Sequence, residues 1–241
     1  MSEKTLTGKV AVITGASHGL GQAVAAHLTA LGASAALIAR DAARLAQTAE
    51  SLRSGGMPIL PLACDIADPA QVQAAADRIL GELGRVDILI NNAGIPAPRT
   101  FAETTFADWD QVIGVNLSGV FYMTRALWDG LVASGAGYVI TISGTAGVRG
   151  GSSPAYGGAK FGLTGLNHAI AAAGKDKNVR ATILYPGSMD TGWRGAPIGE
   201  KPPVETMNPA EVARFIGGLV TSPTEFVVNE AVLNPLASPF L

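Results

Sequence analysis

The sequence is short of the residues that build metal and disulfide sites. It holds one cysteine, Cys64, and three histidines among 241 residues. A single thiol forms no internal disulfide, and with scattered histidines it closes no zinc site, so no metal is expected. Charge is scarce as well: 15% of residues are charged, with 17 Lys+Arg against 19 Asp+Glu and a net charge of −2. Such a chain has no electrostatic drive toward nucleic acid or an anionic membrane, because both need clustered cations. Long apolar runs are missing too. The most apolar stretch, residues 22–39, is interrupted by His27 and Gly32, and it does not read as a membrane span. The opening MSEKTLTGKV has no apolar core, so no signal peptide is expected. What is plentiful is hydrophobic residue, 48% of the chain, which excludes disorder. The expectation is a cytoplasmic globular protein in one domain, residues 1–241.

Thirty glycines punctuate the chain at the seams between apolar runs and helical patterns. Short apolar runs fall at residues 9–14, 35–39, 57–62, 86–90, 138–142 and 179–184, with a last one at 226–232. Helix-length segments separate them. Strands that are apolar on both faces, joined by helical crossovers, predict a parallel sheet with helices on both sides. The fold class expected is therefore α/β, a single doubly wound domain of Rossmann type with seven mainly parallel strands. The Pro/Gly-rich interval beginning at Gly187 and ending near residue 207 is long for a connection in such a domain, and it reads as a substrate lid.

Two motifs carry chemistry. The first strand runs into Thr14-Gly15-Ala16-Ser17-His18-Gly19-Leu20-Gly21, where a helix begins. A glycine turn opening a helix lets a pyrophosphate approach free backbone N–H groups at the positive end of the helix dipole. The spacing is G-x-x-x-G-x-G rather than G-x-G-x-x-G, and close packing of the helix on the sheet would also account for it. The second motif is Tyr156 and Lys160, four apart on a helix predicted over 154–173 and so on one face. A free tyrosine, with a pKa near 10, is a poor base at neutral pH. A neighbouring ammonium favours the phenolate and makes the phenol a usable acid/base.

These motifs, together with Asn91-Asn92-Ala93-Gly94 and Pro186-Gly187 followed by Thr191, resemble the short-chain dehydrogenase/reductase family in order and interval. The resemblance covers residues 6–235. It implies an oxidoreductase that moves a hydride between NADP(H) and a carbonyl or secondary alcohol. By the same resemblance the phosphates sit on Gly15, Ser17, His18, Gly19, Leu20 and Gly21. Asp65 contacts the adenine, Ile66 beside it also binds the cofactor, and Asn92, Ala93 and Gly94 flank it. Pro186, Gly187 and Thr191 hold the nicotinamide end. Tyr156 serves as general acid/base, Lys160 tunes it and bonds the nicotinamide ribose, and Asn116 props a water that relays protons. The resemblance also implies that the alanine- and glycine-rich helices near Asn116 and after Tyr156 pair between subunits as a homodimer or homotetramer, with a small carbonyl or alcohol compound as the other partner.

Three readings stay open. Arg40, just after the second strand, offers a fork of donors to a 2′-phosphate and points to NADP. The competing reading has Asp41 bonding the ribose and selecting NAD, although Asp41 also reads as a helix N-cap. The family's catalytic serine is equally ambiguous in Ile142-Ser143-Gly144-Thr145-Ala146-Gly147. Counting 13 residues back from Tyr156 gives Ser143, the reading adopted, whereas anchoring on Ala146-Gly147 puts Gly144 in that place. Were no hydroxyl there, a catalytically impaired nucleotide sensor or scaffold of the same fold would be the alternative. Finally, Met189 and Trp193 fall in the lid, where Trp193 would either cover an apolar or aromatic ketone or simply pack the lid.

Overall fold

Strand and helix alternate along the chain in the computed structural model, which describes residues 5–98, 100–151, 153–193, 198–200 and 204–238. The first half runs β1 (Val10–Thr14), α1 (Gly19–Ala30), β2 (Ser34–Ala39), α2 (Ala42–Arg53), β3 (Ile59–Ala63), α3 (Pro69–Leu83) and β4 (Ile88–Asn91). The second half runs α4 (Phe106–Ile113), α5 (Gly119–Ala133), β5 (Gly137–Ile142), α6 (Ala146–Arg149), α7 (Pro154–Gly174), β6 (Val179–Pro186), α8 (Pro209–Val220) and β7 (Glu230–Leu233). Among the described residues the strands form one seven-stranded sheet in the order β3-β2-β1-β4-β5-β6-β7. Every pair in it is parallel. The doubly wound fold expected from the apolar runs is the one found. Several strand boundaries moved; the fourth strand, for one, begins at Ile88 rather than at residue 86. The third strand begins at Ile59 rather than at residue 57, and the last is confined to Glu230–Leu233, with its residues only half covered.

Alternation of side chains on the central strands makes two cores. Ile13, Leu37 and Ile90 face α1 and α8, where Leu28 and Ile216 meet them. Val12, Leu89 and Val139 face the other way, onto Ile79 of α3 and Met123 and Leu127 of α5. Each fully buried aliphatic of this kind contributes roughly 2 kcal/mol relative to exposure. The cysteine belongs to the second core. Burial there pushes the Cys64 thiol up to about 11, which leaves it unreactive.

At the N-terminal edge of the sheet a buried carboxylate ties β1 to β4. Asp87 accepts from the Val10 N–H at 3.0 Å, Lys9 Nζ at 3.0 Å, and Arg85 Nε and Nη2 at 2.8 and 2.6 Å. Burial raises its pKa, but the bonds from Arg85, Val10 and Lys9 outweigh this and hold it below the usual carboxylate range. At the opposite edge the chain leaves β1 in one direction and β4 in the other, which opens a crevice outside the carboxyl ends of these two strands. Among the described residues no helix is long and apolar enough to cross a membrane.

Candidate active site

The crevice is built first from backbone. Thr14, the buried last residue of β1, accepts through Oγ1 from the N–H groups of Asn92 and Ala93, both at 3.0 Å. Asn92 Nδ2 returns a bond to the Thr14 carbonyl at 2.9 Å. The glycine turn and the segment after β4 are thereby fixed to one another. Gly15 has φ 67°, and a Cβ on it would stand 2.8 Å from Asn92 Nδ2. A Cβ on Gly21 would overlap the Gly15 carbonyl oxygen, so this glycine lets α1 close onto the turn. The packing explanation of the motif is thus correct for Gly21.

Helix α1 opens at His18 without a side-chain cap, and its first turn holds no acidic residue. Its leading N–H groups are left for an anion. His18, Gly19 and Leu20 border a cavity of about 340 Å³, together with Gly15, Asn92, Ala93 and Gly94. Pro186, Gly187 and Thr191 border it from the far side. Ser17 does not: its hydroxyl lies 3.2 Å from His18 Nδ1, and its carbonyl accepts from Thr48 Oγ1 of α2 at 3.3 Å.

Arg40, Asp65 and Ile66 stand apart from that cavity, beyond the ends of β2 and β3. Arg40 Nη1 lies 3.9 Å from Asp65 Oδ2, with both side chains largely in solvent. Asp65 also accepts from the Ala67 N–H at 3.0 Å, which closes its own loop. The Ile66 side chain turns inward, away from the crevice. It is buried against Gly119 of α5, where a Cβ would stand 2.7 Å from Ile66 Cγ1. Asp41 caps α2 through the Arg44 N–H at 3.0 Å. That engagement supports the capping reading of the carboxylate over the ribose-binding one.

Helix α7 starts with Pro154 in its first turn and brings Tyr156 and Lys160 to the cavity on one face. Lys160 is buried, and its Nζ donates to the Ile142 carbonyl at 2.9 Å while standing 5.6 Å from the Tyr156 ring centre. Desolvation lowers the ammonium to about 8. Among the described residues it has one hydrogen-bond acceptor for three N–H groups, so hydroxyls of a bound ribose would complete it. The bare helix N-terminus, the glycine turn and this under-bonded ammonium fit a dinucleotide laid across the crevice.

Ser143 requires a correction. The residue borders the cavity, but its hydroxyl donates to the Lys160 carbonyl at 3.1 Å, in the space left by Gly147, where a Cβ would overlap it. Gly144 is the residue beside Tyr156. A Cβ there would stand 3.6 Å from the Tyr156 hydroxyl. The alignment anchored on Ala146-Gly147 is therefore the one the geometry matches, because the loop to α7 is one residue shorter than the counting assumed.

The place of Asn116 is set by an interruption in a helix. Helices α4 and α5 form one rod, interrupted by a π turn at Gly114–Ser118 in which the Gly119 N–H bonds the Gly114 carbonyl, five residues back. The turn aims Asn116 at Ile95, whose N–H and carbonyl it holds at 2.7 and 2.9 Å. Fully buried and engaged at both ends of its amide, Asn116 fixes the segment after β4 and does not line the cavity.

Of the expected lid over 187–207, residues 194–197 and 201–203 lie outside the described residues. The described ends are pinned together. Met189 and Met207 form a parallel bridge, the Met207 N–H bonds the Ser188 carbonyl at 2.9 Å, and Asp190 N–H bonds the Met207 carbonyl at 3.0 Å. The Trp193 ring stands 6.4 Å from that of Tyr156, tilted by 53°, and forms one wall. Ser188 and Thr206, whose hydroxyls lie 3.4 Å apart, join the lining. No local pattern marks Thr206, since only the return of the loop toward α8 brings it there. The other histidines are remote: His27 lies against Gly217 of α8, and His168 pairs with Glu230 at 2.6 Å.

Residues 9–198 match the sequence profile described as short chain dehydrogenase. The chain is 36% identical over 182 residues to D-threitol dehydrogenase of Mycolicibacterium smegmatis, covering 75% of this chain and 70% of that enzyme. Among solved structures, an alcohol dehydrogenase from Thermococcus sibiricus complexed with 5-hydroxy-NADP superimposes with a TM-score of 0.90 at 29% identity, covering 97% and 99% of the two chains. L-sorbose reductase from Gluconobacter frateurii, complexed with NADPH and L-sorbose, superimposes with a TM-score of 0.87 at 28% identity, covering 97% and 98%.

Proposed function

The chain belongs to the short-chain dehydrogenases, and from that premise we propose that it interconverts a small carbonyl compound and its alcohol with NADP(H), using Tyr156 as general acid/base. The observation that carries the reading is the placement of Tyr156 and buried Lys160 on one face of α7, at the cavity that the glycine turn opens. The cofactor, when bound, supplies or accepts the hydride. Its pyrophosphate would lie on the residues from Gly15 to Gly21, its 2′-phosphate against Arg40, and its nicotinamide end beside Pro186, Gly187 and Thr191. Tyr156 holds the substrate oxygen and gives it a proton in reduction. Lys160 lends positive charge to the phenol and donates to the ribose, and its link to the Ile142 carbonyl fixes where that charge stands. Asn116 keeps the segment from Asn92 to Ile95 in place, where it would flank the bound cofactor. Trp193 excludes water from the reacting face. The relatives named for D-threitol and L-sorbose agree with chemistry at CH–OH and C=O groups.

Consumption of NADPH and NADH over a panel of aldehydes, ketones and keto esters tests this. The expected outcome is turnover that prefers NADPH, falls by about 10²-fold or more in Tyr156→Phe, and loses the cofactor preference in Arg40→Ala. One observation favours a second reading. No side-chain hydroxyl is available at Gly144, and a missing donor to the substrate oxygen costs roughly 3 kcal/mol in an acyl-transfer site. Tight NADPH binding with no turnover across the panel would make the protein a cofactor sensor of the same fold.

A further inference from the structure

A second cavity, of about 570 Å³, lies at the edge of the sheet opposite the crevice. It is bordered by the approach to β5, the start of β6, the last turn of α7 and the loop leading into β7. Arg180, the second residue of β6, stands in its wall. The guanidinium carbon lies 4.1 Å from the centre of the Tyr138 ring. Nη1 donates to the Ser222 carbonyl and hydroxyl at 3.4 and 3.1 Å, and to the Pro223 carbonyl at 3.1 Å. These contacts fix the group while leaving its other edge unused. Nε is buried without an acceptor. Among the described residues none accepts from Nη2, and no carboxylate pairs with the group. Burial disfavours its charge, yet a guanidinium stays protonated in proteins. A cation withdrawn from water without a counter-ion is costly, so an anion is the group that fits beside it.

Nε and Nη2 form the edge on which a guanidinium takes a carboxylate through two parallel bonds. Arg85 holds Asp87 by the same two nitrogens, at 2.8 and 2.6 Å. At Arg180 the described chain supplies no such group. Lys175 brings a second positive charge to the cavity and Glu225 a negative one, so the lining suits one negative charge rather than two. Val179, Val227 and Phe226, the last 56% exposed, offer apolar surface beside them. We propose that this cavity binds a small organic monocarboxylate, with its carboxylate on the Nε–Nη2 edge of Arg180 and its hydrocarbon part against Val179, Val227 and Phe226. The volume suits a ligand of metabolite size. Along β6, about 20 Å separate Arg180 from Pro186 at the crevice. The ligand is therefore distinct from substrate and cofactor, and the assignment does not depend on the Tyr156 reading.

Calorimetric titration with hexanoate and with hexanamide, which has the same chain and a neutral head group, tests the assignment. In the unaltered protein hexanoate is expected to bind about 10-fold more tightly than the amide, the worth of a charge-assisted bond. Arg180→Met removes the fork and keeps an apolar chain over the Tyr138 ring, so hexanoate should fall to the level of hexanamide. Phe226→Glu leaves Arg180 in place and sets a like charge at the cavity. Hexanoate should then weaken by about five-fold and hexanamide by less than about two-fold. That exposed position decides alone if Arg180→Met does not fold. Equal affinities for the two compounds in the unaltered protein, no detectable binding of either, or hexanoate binding that neither variant weakens would overturn the assignment.

Discussion

Lys160 concentrates the electrostatics of the site in one ammonium. Its burial is complete enough that desolvation alone brings it to about 8, well below the usual lysine value. The sign of the consequence follows from which form the fold prefers. Between about 8 and the unfolded value the folded chain binds fewer protons than the unfolded one, so stability rises with pH across that interval, and the cost of keeping the charge is full below it. Turnover moves in the opposite direction. Reductive kcat is expected to fall as pH rises through about 8, because the charge beside Tyr156 is lost there; a profile flat to pH 10 in stopped-flow measurements would show that the ammonium does not act on the phenol. Ser143 illustrates the other side of this scale. Its place, 13 residues before Tyr156, was legible in the sequence, but the direction of its hydroxyl depends on the space that Gly147 leaves against the Lys160 carbonyl, a contact between β5, α6 and α7.

At the scale of elements, the crevice depends on how firmly β1 and β4 are held at their other ends. Asp87 is the clamp, since it joins the Val10 backbone to Lys9 and Arg85. Its carboxyl is held below the usual range, so the stability it adds is whole above the unfolded carboxylate pKa near 4 and is lost as pH falls through the folded value. Asp87→Asn is expected to cost about 2 kcal/mol at neutral pH, less than for a fully buried pair because Lys9 and Arg85 reach solvent. Calorimetric unfolding from pH 7 to 2 checks it: the variant should unfold at lower temperature at pH 7 and converge on the parent at pH 2. The strands themselves were readable because each is a short apolar run between helices. The π turn between α4 and α5 was not, since the i→i+5 bond at Gly114 leaves no mark in composition. That turn sets where the Asn116 side chain is held.

For the whole molecule, the helices that frame the site also present it outward. Phe121 on α5 and Phe161 on α7 are 50% and 47% exposed, large apolar side chains on the two helices that the family resemblance pairs between subunits. Assembly through this face as a dimer or tetramer is the expectation, and Phe121→Asp with Phe161→Asp should give a monomer in sedimentation equilibrium; an unchanged mass would place the interface elsewhere. Tyr156 and Lys160 stand on α7 and Asn116 in the π turn that leads into α5, so activity is expected to fall with dissociation.

The sequence by itself determined the parallel doubly wound sheet, because runs that are apolar on both faces have no other stable arrangement when helices separate them. It also determined the glycine turn and the pairing of Tyr156 with Lys160, because both follow from local spacing along one strand–helix junction and one helix face. Only the tertiary structure decided between Ser143 and Gly144, the inward turn of Ile66, the clamp of Asn116 on Ile95 and the return of Thr206 to the cavity. Each of these depends on which surfaces meet across elements distant in the chain. Such meetings are set by packing volume and unsatisfied backbone groups at the point of contact, quantities that a linear pattern of residue types does not contain.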